Sequence, residues 1–268
     1  MKRLLNIEYR ILSKYTTFNV LFLLYFIFLA LVAYGFGNFL SDLTINSDGE
    51  PVQFNLGALP IYRFPDIWHN MAYIASYFKF LLAILIIMVI SNEFEYRTLR
   101  QHIIDGMTRS EFVNSKFLSI GIISSLASLF VLLVILALGI SNDESGNGIS
   151  RIHEGSVFIV GFFVQMFAFM SFAFLIATYF KRTGLSVIIL LLWVFIVENI
   201  ISYKLPDDFG NLLPVKSMNE LIQIPFLKYV NVGQSVQTTI DIGMFAVPIA
   251  WTVVFYLLIT WMLNKRDL

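Results

Sequence analysis

Residues 157–180 read VFIVGFFVQMFAFMSFAFLIATYF and contain no charged side chain. The hydrocarbon core of a bilayer is about 30 Å thick, and a helix needs roughly 20 apolar residues to cross it. The stretch meets that length. It also lacks the strict alternation of apolar and polar residues that marks a strand of a membrane barrel. It therefore predicts a transmembrane helix.

Five further runs share this length and apolar character. They are residues 18–40, 67–90, 117–140, 185–203 and 242–263. Only helices and closed barrels satisfy their backbone hydrogen bonds inside a membrane. The sequence therefore predicts an all-α membrane protein with six transmembrane helices, forming one transmembrane domain over residues 1–268.

The overall composition supports this class. Of the 268 residues, 58% are hydrophobic and 13% are charged, whereas soluble domains average about 45–50% apolar and 25% charged. Disorder, a disulfide-stapled secreted fold and a typical cytosolic enzyme are excluded. The chain has no cysteine and zero net charge, so it offers no thiolate metal site and no whole-chain argument for binding nucleic acid.

Catalytic motifs are missing from the sequence. The three histidines, His69, His102 and His153, lie far apart along the chain, and there is no H-E-x-x-H, Walker loop or G-x-S-x-G. We therefore expect no enzymatic activity, metal or cofactor on this chain. Any energy source must come from a partner.

The distribution of Lys and Arg predicts the orientation. Most of the 18 basic residues lie in four segments on one side of the spans: residues 1–17, 92–116 and 181–184, and the end of the chain. An excess of Lys and Arg marks the cytoplasmic side of membrane proteins. Both termini are therefore expected in the cytoplasm, with the acidic loops outside.

The N-terminal residues 1–17 have the pattern of an amphipathic helix. Leu4, Ile7, Ile11 and Tyr15 share one helical face, and basic and polar residues occupy another. Such a helix is expected to lie in the inner headgroup layer. It is either a simple positively charged anchor or a lever beside a cytoplasmic partner.

The loop over residues 92–116 predicts a helix, a break and a second helix. Gly106 permits a left-handed stop, and Thr108 with Glu111 forms a T-x-x-E capping box that starts a new helix running into span three. Asp105 and Arg109 are four residues apart and able to pair. A plain solvated hairpin is the simplest alternative.

This loop resembles the first cytoplasmic loop of ABC transporter permeases of the bacterial exporter class, which have the type-five exporter fold. The matching positions are Glu93 or Glu95, Thr98, Gly106, Thr108-Arg109 and Lys116. Arg97 stands where the family commonly has Gly before the Thr, and the common Pro in the turn is absent. The six spans, the short second cytoplasmic loop and the long outer segment over residues 204–241 agree with the family's layout.

The resemblance implies a function. Permeases of this class form a homodimer or a heterodimer with a paralogous permease in the bacterial inner membrane. Two ABC ATPase subunits bind beneath the pair and hydrolyse ATP with Mg. The loop between spans two and three is then the coupling helix that docks on the ATPase. The implied contact residues are Glu93, Glu95, Tyr96, Arg97, Leu99, Arg100 and Ile103.

Two charged residues fall inside predicted spans. Lys79 in span two and Glu198 in span five lie at similar depths, given a rise of about 1.5 Å per residue. An ionisable group at mid-membrane costs at least about 2.5–3.5 kcal/mol, so it should be paired or face water. Lys79 and Glu198 are the candidate pair. One alternative is a structural bridge, or two groups that snorkel outward. The other is that they line the translocation path or the dimer seam, since spans two and five border the route in the resembling family.

Other interpretations of the whole chain stay open. One is a membrane scaffold or anchor of a larger assembly with no transport path. Another is a six-span, substrate-binding uptake component. In the outer segment, the sequence predicts a short helix over residues 217–226.

Overall fold

The computed structural model describes residues 15–42, 61–96, 98–142, 151–226 and 237–265. The long helices in chain order are Thr16–Asp42, Asp66–Ser76 with Lys79–Glu95, Arg109–Ser141, Val157–Phe180, Thr183–Leu192 with a π-helical turn Trp193–Val197 and Glu198–Lys204, and a 3₁₀ turn Ile242–Phe245 with Ala246–Lys265. We number these six groups spans 1–6. The short helices are Thr98–Ile104, Asp207–Gly210 and Pro214–Glu220.

The described ranges are mostly helical and contain no strand, which confirms the all-α prediction. Five helices are long and apolar enough to cross a membrane, and the bent pair of span 2 makes a sixth when taken as one span. The bounds of span 4 match the prediction. Span 3 begins eight residues before the predicted boundary of 117, at Arg109, and thus includes the second half of the loop.

Span 4 is the centre of the bundle. It packs against spans 2, 3, 5 and 6 and against the short helix Pro214–Glu220. In its most apolar window 67% of the residues are buried, against 39% or less in the other continuous spans. Its side chains Phe162, Phe169 and Phe174 are fully buried. Because it has no charged residue, this helix can be surrounded by others without stranding a charge.

Span 2 is not the single helix that the sequence predicts over residues 67–90. It bends by 41° between Ser76 and Lys79. The N–H groups of Tyr77 and Phe78 donate to carbonyls three residues back, those of Ile74 and Ala75. The Ser76 hydroxyl also donates to the Tyr73 carbonyl, at 2.7 Å. A side chain that competes for a helix carbonyl in this way is a known cause of bending.

Span 5 also departs from the plain helix predicted over residues 185–203. A π-helical turn occupies Trp193–Val197, and the N–H of Glu198 donates to the carbonyl of Trp193, five residues back. This turn therefore contains one residue more than a regular helical turn, and it lies immediately before Glu198. Single π turns of this kind occur frequently at functional sites.

The segment after span 5 returns into the bundle. Its helix is Pro214–Glu220, not residues 217–226 as predicted, because proline is well suited to the first position of a helix. The helix contacts spans 4 and 6, and we call it the return helix. Trp251 of span 6 donates to the carbonyl of Leu212 at 2.8 Å. Residues 227–236 of the predicted outer segment, and residues 1–14 of the predicted N-terminal helix, lie outside the described part.

The close packing of span 3 yields a stability prediction. A Cβ atom on Gly139 would overlap the buried ring of Phe64, whereas one on Gly121 would lie at an ordinary 3.6 Å from Phe167. Gly139→Ala should therefore lower the free energy of unfolding by about 1–3 kcal/mol. The matched control Gly121→Ala should leave it unchanged or raise it by up to about 1 kcal/mol. Thermal unfolding of the purified protein in detergent measures both, and equal effects would contradict the packing of Phe64.

Candidate functional site

The loop between spans 2 and 3 has the predicted helix, break and helix. A seven-residue helix runs from Thr98 to Ile104. Gly106 follows two residues later with a left-handed φ of 90°. Span 3 then begins behind the predicted capping box: the Thr108 hydroxyl accepts from the Glu111 N–H at 3.2 Å, and the Glu111 carboxylate accepts from the Thr108 N–H at 2.8 Å. This reciprocal pair fixes where the chain turns back. We call Thr98–Ile104 the loop helix.

A buried ion pair joins the two ends of this loop. Lys116 of span 3 donates to the Glu93 carboxylate of span 2 at 2.5 Å, and their side chains are 3% and 8% exposed. Leu99 and Met107, on either side of the break, are also buried. The ion pair therefore holds the two ends of the loop together, and Leu99 packs the loop helix against the bundle.

Arg109 ties the loop to the last span. Its guanidinium donates to the carbonyls of Leu263 and Asn264 at 2.8 and 2.7 Å. These are among the last carbonyls of a helix, which lack partners within the helix. Arg109 thus caps span 6, rather than pairing with Asp105 as the spacing suggested.

A groove lies between the loop and the short turn that joins spans 4 and 5. It has a volume of about 990 Å³. Its polar rim comes from Glu95 and Arg100 on the loop side and from Lys181 and Arg182 on the turn. Lys181 has a left-handed φ of 57° and lies over the ring of Phe94 at 5.7 Å. We call this groove the coupling groove. We call the end of the bundle where it lies the loop end.

The predicted contact residues divide by exposure. Glu95, Tyr96 and Arg100 are exposed, Ile103 is partly buried, and Glu93 and Leu99 are buried. Arg97 lies outside the described residues. Glu93 and Leu99 are buried where they line the coupling groove, and their contact with a partner stays a prediction.

The sequence interpretation missed three exposed residues at this end. Ile104 is 75% exposed, more than its neighbour Ile103 in the predicted set. Lys181 and Arg182 enter the groove from a distant part of the chain. The apolar pattern of the loop signals that one of the two isoleucines is exposed, but the tertiary packing decides which one.

The first intramembrane charge, Lys79, lies immediately after the bend of span 2. Its side chain is buried, and its ammonium donates to Oδ1 of Asn219 on the return helix. The ammonium also lies over the ring of Phe169 of span 4, at 5.2 Å. Hydrogen bonding and the aromatic face both stabilise a desolvated cation.

The second charge, Glu198, lies immediately after the π turn of span 5. One carboxylate oxygen accepts from the Trp193 indole N–H at 2.9 Å, and the other from the backbone N–H of Lys216 at 2.5 Å. Lys79 and Glu198 are not joined by an ion pair among the described residues. Each forms its described hydrogen bonds with other groups.

No protein-family model and no curated protein matches this chain. Among the described residues, no group of three or more His, Asp or Glu side chains is placed to hold a metal ion. The site must therefore be interpreted from its own geometry.

The ion pair of the loop predicts a strong effect of single substitutions. Glu93→Gln should destabilise the protein by about 3 kcal/mol, because it leaves the Lys116 ammonium buried without its counter-charge. Adding Lys116→Met should recover much of that loss. Glu154→Gln is the matched control, since the Arg151–Glu154 pair is 52% and 45% exposed and is expected to contribute less than about 1 kcal/mol. Unfolding in detergent measures all four proteins; equal losses for Glu93→Gln and Glu154→Gln would contradict the burial of the pair.

The intramembrane network predicts which residue is coupled most strongly to Lys79. A double-mutant cycle of Lys79→Met with Asn219→Leu should give a coupling energy of about 1.5–3 kcal/mol, as expected for a hydrogen bond to a charged group. The cycle with Glu198→Gln should give a smaller value, because both oxygens of Glu198 are already engaged. A larger coupling to Glu198 would instead support the direct pair.

Proposed function

We propose that this chain is the membrane subunit of an ATP-driven exporter of the ABC class. Two such subunits form the translocation path, and two separate ATPase subunits bind at the loop end, where they hold ATP and Mg. The loop end faces the cytoplasm of a bacterial cell, in keeping with the excess of Lys and Arg there. The chain itself hydrolyses nothing.

The observation that carries this proposal is the coupling groove with its exposed loop helix. The groove combines charged groups from two distant parts of the chain with Tyr96 and Ile104 on the adjoining loop, which are 73% and 75% exposed. An interface core of apolar and aromatic groups, surrounded by charges, is typical of a protein docking site. A solvated hairpin would not need two large apolar side chains at its tip.

Three internal links suit the loop helix to transmitting movement. The Glu93–Lys116 ion pair joins span 2 to span 3 on either side of the loop helix, and Arg109 at the start of span 3 joins span 3 to the end of span 6. Leu99 adds an apolar contact in the bundle. When a nucleotide-driven partner displaces the loop helix, these links carry the displacement to three spans together.

Exposed residues of the loop helix should therefore determine partner binding. Tyr96→Ala and Ile104→Asp should each weaken recovery of the ATPase, by about five- to thirty-fold in affinity, as expected for an interface anchor worth 1–2 kcal/mol. Arg100→Glu should also lower recovery, and this effect should diminish at high salt. The measurement is co-purification from native membranes, with the ATPase recognised by its Walker sequences.

Tyr203→Ala is the matched control, because Tyr203 is 92% exposed and ends span 5 far from the coupling groove along the helix. It should leave ATPase recovery unchanged. Recovery of an ATPase that is indifferent to all three loop variants would contradict docking at the loop. A folded protein that recovers no ATPase from native membranes would favour the scaffold interpretation.

A further inference from the structure

A cavity of about 540 Å³ opens between spans 2 and 5, beside the return helix. This volume is in the range of small-molecule binding sites. Among the described residues, the charged groups of its lining are Lys79 and Glu220. The remaining lining consists of Ser76, aromatic and aliphatic side chains, and the amides of Gln165, Asn199, Asn219, Gln223 and Gln237. We call it the midspan cavity.

Both backbone irregularities of the bundle border this cavity. Tyr77 at the bend of span 2 and Phe195 in the π turn of span 5 contribute to its wall. A bend and a π turn on facing helices both separate those helices from ideal packing. The cavity therefore lies where both helices are irregular. A charged residue follows each irregularity: Lys79 after the bend and Glu198 after the π turn.

Among the described residues that line the cavity, one buried side-chain acceptor has no hydrogen-bond partner. The Asn219 Oδ1 atom accepts two hydrogen bonds, one from the Lys79 ammonium and one from Gln165 Nε2 at 3.4 Å. The acceptor without a partner is Oε1 of Gln165, a residue that is 1% exposed; no described residue donates a hydrogen bond to it. An unsatisfied buried acceptor costs about 1–3 kcal/mol, which a ligand N–H or O–H group would offset.

The charges of the wall are complementary to a ligand with two opposite charges. The Lys79 ammonium can bind an anionic group. Glu220 is half-buried and already accepts from Gln223 at 2.6 Å, and its carboxylate favours a cation nearby. Neither a purely anionic nor a purely cationic ligand satisfies both sides.

The rest of the wall is apolar and open to the surface. Tyr77 and Phe195 are each 61% exposed, and Ile224 is 48% exposed. An acyl chain leaving the cavity would pass along these side chains and stay in contact with apolar groups. The cavity thus combines a charged pocket with an apolar exit.

From this arrangement we propose that the midspan cavity binds a zwitterionic amphiphile that carries a primary ammonium group. Its anionic group lies against Lys79, its ammonium group lies toward Gln165 Oε1 and Glu220, and its apolar chain leaves past Tyr77 and Phe195. That this ligand is the exported cargo rests on the proposed function. The binding itself does not require it.

The test is equilibrium binding of defined lipids to the purified, delipidated full chain in detergent, followed by native mass spectrometry. Phosphatidylethanolamine, with an anion and an N–H donor, should bind about tenfold more tightly than phosphatidylcholine, which has no N–H donor, or phosphatidylglycerol, which has no cation. Glycerophosphoethanolamine, the soluble head group without chains, should bind weakly. Equal binding of the three lipids, or full affinity for the soluble head group, would overturn the proposal.

Variants locate the binding in the cavity. Lys79→Met should weaken binding of phosphatidylethanolamine about tenfold, whereas Gln165→Leu should abolish the preference over phosphatidylcholine. Lys204→Met is the matched control, because Lys204 is exposed outside the cavity, and it should change nothing. If Lys79→Met does not fold, the comparison of the three lipids and the Gln165→Leu variant test the proposal. A retained preference in Gln165→Leu would contradict the assignment.

Failure of this inference is distinct from failure of the proposed function. Loss of lipid selectivity with normal recovery of the ATPase would refute the ligand and leave the exporter proposal intact. Selective lipid binding with no ATPase partner would support the site and refute export by this chain.

Discussion

The cost of placing a charge inside an apolar bundle is the constraint on which this structure depends. A desolvated ion must find hydrogen bonds or a counter-charge, or it destabilises the fold by several kcal/mol. Hydrogen bonds or a counter-charge stabilise such buried ions at three places in the described part of the chain. Lys79 reaches Asn219, Glu198 receives an indole and a backbone N–H, and Glu93 binds Lys116. At the first two places the helix also departs from regular geometry.

The same constraint connects the loop end with the midspan cavity. Lys79 and Glu93 lie on one uninterrupted helix, Lys79–Glu95, separated by about 21 Å along its axis at 1.5 Å per residue. Both ends of this helix are held by charged contacts to other elements. A movement imposed at Glu93 would therefore be transmitted along this helix to Lys79. In the proposed exporter, this helix links nucleotide-driven docking to the space that holds the ligand.

Apolar length alone was enough to predict the spans from the sequence, because the bilayer sets a minimum length for each helix. The capping box at Thr108 and Glu111 was predictable for a local reason: both partners lie within one turn. The bend of span 2 was not, since residues 67–90 contain no Pro or Gly and the cause is a serine hydroxyl competing for a carbonyl. The π turn of span 5 has no marker in its residues either. Likewise, the exposure of Ile104 and the burial of Glu93 depend on contacts with other helices, which spacing along the loop does not encode.

The central claim is that the coupling groove faces the cytoplasm and is covered by an ATPase. Because the chain has no cysteine, single variants Arg182→Cys and Tyr203→Cys can be labelled with a membrane-impermeant maleimide. The account predicts that Arg182→Cys reacts only in inside-out vesicles and is protected when the ATPase is bound, while Tyr203→Cys reacts only from the outside of intact cells. Labelling of both positions from the same side, or labelling of Arg182→Cys that the ATPase leaves unchanged, would contradict it.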